Sequence, residues 1–494
     1  MRFQFVLSAL MLPVLLSAQV QRWVRLYDGV GGSDDMGGAA QAPDSSYRTA
    51  ILYNSGSAGN IKTIGVGPDG SWLWSTTITD TTGRFTGGLS RCLMRREDGS
   101  WLLALRGVPN GSTQENGVLY CLSADGDSLW SRWYGSPHSD GFMGMTLTDQ
   151  GGAALIGYED GPLNGSKLVR VDANGDTLWT KRFWNAQLQT QKLYSVDTMP
   201  DGGFLLGGYR YILGSFNDML VIRTNSLGQL LWQRTYGSPS YDSPAHVSAL
   251  ADGSIGFAGS EQQFPLTPSR PVYYRTAPNG IQHLVSFDPM WMDAGAYYTR
   301  PVEMSNGDVV IGGYREVNNI NRGILVRVDH DGHVVWNRHY QTGNHQHLIH
   351  GLERTLDGGF LLSGTAYDSL GISVDGWLLK VDSFGCVVPG CQSLTGLLEQ
   401  EVERSTFLSV RPNPLLRSNA STELMVDVRS APDRAATGPF KLVFTSSTGA
   451  VVHQVTFSGL STTLRLPEHL SSGLYHMHLM AGSRWIDGSR LVVE

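Results

Sequence analysis

One pattern of roughly fifty residues recurs seven times along the chain, and this periodicity restricts the fold more than any other feature. The clearest copies read MPDGGFLLGGY followed by DMLVIRTNSLGQLLWQRTYG, and TLDGGFLL preceded by RGILVRVDHDGHVVWNRHY. Aligned turn positions fall at Ser45, Gly99, Gly151, Gly202, Gly253, Gly307 and Gly358, with successive differences of 54, 52, 51, 51, 54 and 51. A second marker, Trp23, Trp74, Trp130, Trp179, Trp232, Val285 and Trp336, keeps nearly the same period. Two independent markers in phase over some 300 residues exclude a chance likeness.

Each period holds four short apolar runs with two-residue alternation, separated by turn residues. In the sixth unit they cover about Tyr297 to Met304, Val309 to Tyr314, Gly323 to Asp329 and Val334 to Tyr340. Ser305-Asn306-Gly307-Asp308 and His330-Asp331-Gly332-His333 join the first pair and the last pair. Asn-Gly and Asp-Gly suit the positive backbone angles of two-residue hairpin turns, so both joints are expected to be tight. The unit is a four-stranded antiparallel meander, strands A to D, and the fold class is all-β: a seven-bladed β-propeller. The last unit lacks a D strand, while Arg22-Trp23-Val24-Arg25-Leu26-Tyr27 supplies one at the other terminus. That N-terminal strand is expected to close the ring and remove an exposed edge.

The chain divides around these repeats. Arg2, an apolar stretch from Phe3 to Leu16 and the pair Ser17-Ala18 read as a signal peptide over residues 1–18. The propeller is placed at 19–392, a polar linker at 393–405, and a small β-sandwich at 406–494. No other stretch is apolar enough to span a membrane as a helix. A formal charge of −7 without a basic cluster argues against nucleic acid as a partner. Of four cysteines, Cys386 and Cys391 flank Val-Val-Pro-Gly at the end of the repeats and are expected to pair, a small ring worth roughly 2 kcal/mol. Cys92 and Cys121 are expected on strands A and C of one blade. Two ladder spacings, about 9.6 Å, exceed the roughly 7 Å limit for a disulfide, so they are read as buried thiols.

The C-terminal segment carries a motif series: Pro412-Asn413-Pro414, Ser447-Thr448-Gly449-Ala450-Val451-Val452, Leu470-Ser471-Ser472-Gly473-Leu474-Tyr475 and a terminal Arg490-Leu491-Val492-Val493-Glu494. In content, order and position it resembles the C-terminal sorting domain of the type IX secretion system, with Pro412, Asn413, Pro414, Gly449, Gly473 and Tyr475 as the motif residues. The resemblance implies export through the periplasm and the type IX machinery to the cell surface or the medium in a member of the Bacteroidota. More loosely, the repeats resemble those of secreted Bacteroidota propellers. They also resemble quinoprotein dehydrogenases and outer-membrane assembly scaffolds, in which a Trp four residues after a turn Gly docks between blades. Only that packing role carries over, as in Gly175 with Trp179; no adjacent cysteine pair supports a quinone, and no cofactor is expected.

Asp172-Ala173-Asn174-Gly175-Asp176 has the opening of a calcium loop, but Phe183 stands where the twelfth-position Glu is needed. The histidines His339, His345, His347 and His350 form the one clustered set of metal-ligand types. Placed in a connection from strand D to the next strand A, they read as solvated loop residues, leaving His345, His347 and His350 as weak candidates and no metal assigned. No nucleophile elbow, zinc-protease helix or phosphate loop is present, so no catalytic residue is assigned. Asp293, Glu303 and Glu353 would serve a hydrolytic, carbohydrate-active enzyme at the channel mouth, the alternative reading. A structural or adhesion component is a further one. The long B-to-C and D-to-A connections emerge on one face, which is the expected binding face. Its aromatic candidates are Tyr134, Trp184, Tyr211, Phe216, Tyr241, Trp291, Tyr297 and Tyr367, side chains suited to sugar faces or protein hot spots. The expected function is binding of an extracellular glycan or a surface protein.

Overall fold

The structure, a computed structural model, describes residues 22–493 apart from 28–33, 56–57, 79–81, 88–91, 162–163, 185–188, 213–215, 263–268, 288–295, 318–319, 342–345, 368–373, 388–390, 392–407, 414, 416–422, 429–438, 447–449, 468–469 and 482–483. The architecture is all-β, with antiparallel sheets of four strands as the repeating unit. Among the described residues up to Val381, seven sheets succeed one another, numbered 1 to 7 in chain order with strands A to D. Sheet 3 shows the plan: Asp140–Leu147, Ala153–Glu159, Gly165–Val171 and Thr177–Phe183 lie side by side in sequence order. Strands B and C are buried almost throughout, whereas strand D is exposed or half-buried up to the buried Phe183. A strand covered on both faces needs a near-continuous apolar run, and AALIGY provides one.

Sheet 7 takes its outer strand from the N-terminus. Trp23–Tyr27 runs antiparallel to Val374–Val381, with Trp23 opposite Lys380 and Tyr27 opposite Gly376. Arg22 adds an ion pair to Asp382 at 2.7 Å. The chain beyond this sheet ends its turn at the Cys386–Cys391 disulfide, and Cys92 and Cys121 are buried thiols.

Apolar clusters fill the spaces between successive sheets. Ile156 and Leu168 of sheet 3 meet Leu206 and Leu220 of sheet 4, and Val221 of sheet 4 meets Phe257 and Val272 of sheet 5. The series continues past sheet 7, where Trp23, Tyr27 and Leu378 pack with Met36, Ile51 and Ile64 of sheet 1. Each strand D also reaches into the C-to-D turn of the next sheet. A Cβ on Gly126, Gly175, Gly228, Gly280 or Gly385 would lie 2.5 to 3.0 Å from the indole of Trp74, Trp130, Trp179, Trp232 or Trp336, respectively. Trp23 stands against Gly70 in the same way. In sheet 5 the equivalent side chain is Leu284, against Gly332, and the expected marker Val285 is displaced by one residue. Register explains the correction: Leu284 faces Arg275, as Trp232 faces Arg223 and Trp336 faces Arg327.

The tight turns differ from the expected two-residue form. In Asp329-His330-Asp331-Gly332-His333, the Asp329 N–H donates to the His333 carbonyl at 3.0 Å and the Gly332 N–H to the Asp329 carbonyl at 3.1 Å. Of these residues only Gly332 has a positive φ, 89°. The loop is therefore a three-residue type I turn closed by a left-handed glycine, and the ladder shifts register between Arg327 and Val328. The leading aspartate holds it: Asp329 Oδ1 accepts the N–H groups of Asp331 and His333. Strand A of sheet 6 also departs from the expected continuous run, splitting into Ala296–Tyr298 and Val302–Glu303 around Pro301, which has no N–H to give a ladder.

The C-terminal residues form two further sheets, one of Leu408–Arg411, Glu423–Val428 and Ser461–Arg465, the other of Val451–Phe457, Phe440–Ser446, Gly473–Ala481 and Arg484–Val493. Leu424 and Val426 of the first share a core with Phe440, Phe444, Met477 and Leu491 of the second, which makes a sandwich. Asn413 Oδ1 accepts the Val492 N–H at 3.0 Å, and Leu415 N–H donates to the Val492 carbonyl at 2.7 Å. The segment after Pro412 is thus fastened to the terminal strand. Tyr475 is buried, its hydroxyl donating to the Ser471 carbonyl. Pro414, Gly449, the linker and residues 1–18 lie outside the described residues.

Candidate binding face and buried acid groups

The A strands converge. Arg300 of sheet 6 reaches past sheet 5 to Asp197 of sheet 4 at 3.2 Å, and Asp197 also accepts the Ala249 N–H of sheet 5. Glu303 accepts the Ala251 N–H at 2.6 Å, and Gln41 of sheet 1 accepts the Leu356 N–H of sheet 7 at 2.6 Å. Glu353 lines a cavity with Gly38, Leu93, Arg300 and His350, residues drawn from sheets 1, 2, 6 and 7. Its volume is about 20 Å³, room for one water molecule. Glu303 and Glu353 therefore stand among inner-strand contacts; Asp293 lies outside the described residues.

The histidine group is not a set of solvated loop residues. His339 is buried on strand D of sheet 6 and His347 is fully buried on strand A of sheet 7, edge-on to Trp377 at 4.6 Å. His350 lies on the same strand and shares a hydrogen bond with Thr365 Oγ1 at 3.2 Å. Burial lowers His350 to about 4, and burial with Arg315 and Arg322 nearby lowers His339 to about 4, so both imidazoles are neutral. The strand begins at Gln346, so His347 and His350 are strand residues and not part of the connection. His345 lies outside the described residues. Among the described residues, the one close group of three metal-ligand types is Asp329, Asp331 and His333, and its leading carboxylate already serves the turn.

The aromatic candidates separate into two sorts. Tyr134 is a strut: its hydroxyl donates to the Gly175 carbonyl of the next sheet at 2.6 Å and its ring meets Phe142 edge-on. Tyr236 and Tyr340 make the same bond to Gly280 and Gly385, so Tyr134 belongs to the interlock between sheets. Trp184 and Tyr241, by contrast, are 47% and 50% exposed where strand D gives way to the next strand A. Phe216 packs edge-on to Tyr241 at 4.7 Å, with Tyr211 half-buried at the other end of the same B-to-C connection. Tyr367 is half-buried at the end of strand B of sheet 7. Trp291 and the Tyr297 side chain lie outside the described residues.

Two buried carboxylates at this long-loop end are absent from the sequence-based candidates. Asp140 pairs with Lys167 at 2.6 Å, with both side chains almost wholly buried. Asp242 is buried next to Glu261, its partner in an isolated antiparallel bridge. Both aspartates end the same heptapeptide, Tyr134-Gly-Ser-Pro-His-Ser-Asp140 and Tyr236-Gly-Ser-Pro-Ser-Tyr-Asp242, a repeat within the repeat.

No family model matches the chain, and no curated protein is similar to it. Among solved structures, a polysaccharide lyase of family PL25, an ulvan lyase, is similar at 9% identity, covering 72% of this chain and 96% of its own, with a TM-score of 0.48. Sqt1 from Chaetomium thermophilum is similar at 11% identity, covering 71% and 97%, with a TM-score of 0.41. The NanB sialidase from Streptococcus pneumoniae is similar at 10%, covering 74% and 69%, with a TM-score of 0.40. Likenesses this distant decide nothing about what the chain binds or does.

Proposed function

We propose that the seven sheets are the blades of a β-propeller closed by the strand Trp23–Tyr27, and that its long-loop face binds a macromolecule, either an extracellular glycan or a cell-surface protein. The observation that carries this reading is the contrast between the two ends of the sheets. At the tight-turn end, each C-to-D turn is filled by a Trp or Leu from the preceding sheet, which leaves little freedom for a ligand. At the other end the connections differ from sheet to sheet and hold Trp184 and Tyr241 open to solvent. Rigid, amphipathic aromatic side chains on variable connections suit recognition of sugar faces or protein hot spots. A hydrolytic site at the inner strands finds less support, because Glu303 is engaged by a backbone N–H and Glu353 borders a cavity of one-water size.

The C-terminal sandwich is proposed to act as a type IX sorting domain, delivering the propeller across the outer membrane. The grip of Asn413 on the terminal strand supports this, since it joins two separated motif residues into one structural element. Glycan arrays and surface-protein capture, run with Trp184→Ala and Tyr241→Ala, test the binding reading. Binding that drops tenfold or more in either variant supports it, and binding unchanged in both overturns it. Mass analysis of the secreted product tests the route, with loss of residues 1–18 and of the segment from about 406 onward expected.

A further inference from the structure

The two copies of the Tyr-Gly-Ser-Pro-x-x-Asp loop bury the same aspartate in different surroundings. In the first copy Lys167 supplies the counter-charge to Asp140 at 2.6 Å. Register gives the equivalent position in sheet 5: Gly157 faces Lys167, and Gly259 faces Val272. The second copy has therefore lost its cation. Around Asp242 stand Glu261 across the bridge and Asp218 on strand C of sheet 4. Tyr274 and Arg270 on strand C of sheet 5 are both engaged by Glu261, and Arg210 on strand B of sheet 4 faces Asp218.

The count of protons at Ser238 points the same way. Its Oγ lies 2.8 Å from Asp242 Oδ1 and 2.7 Å from the Gln262 carbonyl, and it accepts the Ser240 N–H at 3.1 Å. A hydroxyl has one proton, and it cannot donate to both oxygens. With a proton on Asp242 Oδ1 the chain closes: Asp242 donates to Ser238 Oγ, Ser238 donates to Gln262, and Asp242 Oδ2 accepts the Ser238 N–H at 2.8 Å. Without that proton, Ser238 can serve only one of the two oxygens of this part-buried chain.

We propose that Asp242 is a proton-operated latch: held as a neutral acid it fastens the segment Gly237 to Ser243, which carries Tyr241, onto the end of sheet 5, and ionisation loosens that segment. Burial, with smaller help from the neighbouring Glu261 and Asp218, pushes this carboxyl up to about 7 against the lowering effect of the hydrogen bonds from Ser238. In an opened loop the group titrates near 3.9, so fastening is complete below about pH 4. It weakens up to about tenfold per pH unit as pH rises toward 7, and then levels off. The latch stands whether or not the long-loop face binds a macromolecule. Its consequence for ligand binding rests on that reading.

Hydrogen–deuterium exchange of the 237–243 segment, corrected for intrinsic rates and measured from pH 4.5 to 8 without ligand, tests the latch separately from the binding reading. Protection in the wild type is expected to fall across the range and to flatten above 7. Asp242→Asn, whose amide keeps both bonds to Ser238 without titrating, is expected to be flat. Val272→Lys, which restores the cation of the first copy, is expected to remove most of the slope. A wild-type profile parallel to that of Asp242→Asn would overturn the latch, and so would a slope unchanged by Val272→Lys.

Discussion

Gly175 lies so close to the ring of Trp130 that a Cβ on it would stand 2.7 Å from the indole, although the two residues belong to different sheets. The glycine also sits at a φ of 80°, so two separate penalties meet at one position. Gly253, at a φ of 82°, has nothing within 4 Å of its virtual Cβ and isolates the backbone part. Gly253→Ala is expected to cost about 1–2 kcal/mol. Gly175→Ala adds overpacking of about 1–3 kcal/mol. Chemical denaturation of both variants checks the difference; equal losses would mean that the Trp130 contact contributes nothing.

Trp23 makes a related prediction at the join between the termini. It is 5% exposed, donates its indole N–H to the Pro68 carbonyl at 2.8 Å and meets Tyr47 edge-on. Trp23→Ala is expected to destabilise by about 3–5 kcal/mol, the range for truncating a buried large aromatic. Deleting residues 22–27 removes the whole strand and bares the edge of Val374–Val381, so self-association is expected as well. Size-exclusion chromatography beside the denaturation curve separates the two effects. A truncated protein that stays monomeric and equally stable would contradict the proposed ring closure.

Much of the fold is legible in the sequence, for an identifiable reason. The Trp marker keeps its spacing because each Trp packs against a C-to-D turn glycine of the next sheet whose side chain would fill its place, and the A-to-B turn marker from Ser45 to Gly358 keeps its own because every copy sits at a positive φ. The limits are local. Val285 looks like the sheet-5 marker because aligning apolar residues cannot tell Leu284 from its neighbour; only pairing with Arg275 does. His347 looks like a loop residue because the ladder extends further into the connection than polarity suggests. The Asp140 and Lys167 pair joins residues 27 apart in sequence, on different strands of sheet 3, and no short motif records it. Among the described aromatic candidates, Trp184 and Tyr241 are the exposed ones, and polarity of the surrounding loop does not single them out from Tyr134.

Acid should act through Asp357. Burial raises its carboxyl, but Lys380, at 2.9 Å and with its side chain fully buried, together with hydrogen bonds from Thr355 and Gly359, holds the group below its ordinary value. A carboxyl depressed by folding contributes stability that is present above the unfolded value of about 3.9 and is lost as pH falls through the folded one. Unfolding midpoints of the wild type and Asp357→Asn should therefore differ most near neutrality and converge toward pH 3. A gap of constant size between pH 7 and pH 3 would show that the pairing with Lys380 adds nothing to stability.

The Asp140 and Lys167 pair calls for a double-mutant cycle, because removing one charge strands the other. Lys167 donates to Asp140 Oδ1 and to the Tyr134 carbonyl, while Asp140 also accepts the Gly117 N–H at 3.2 Å. Lys167→Met leaves a buried carboxylate with no cation and is expected to cost about 3–5 kcal/mol at neutral pH. Its loss should shrink on acidification, because Asp140, already pushed up by burial, can then take a proton. Asp140→Asn keeps an acceptor for Gly117 and Lys167 but removes the charge that balances the buried ammonium. The double variant should lose clearly less than the sum of the singles, since both charges leave together. Additive losses that do not change between pH 7 and pH 5 would mean that the two groups do not act as a pair.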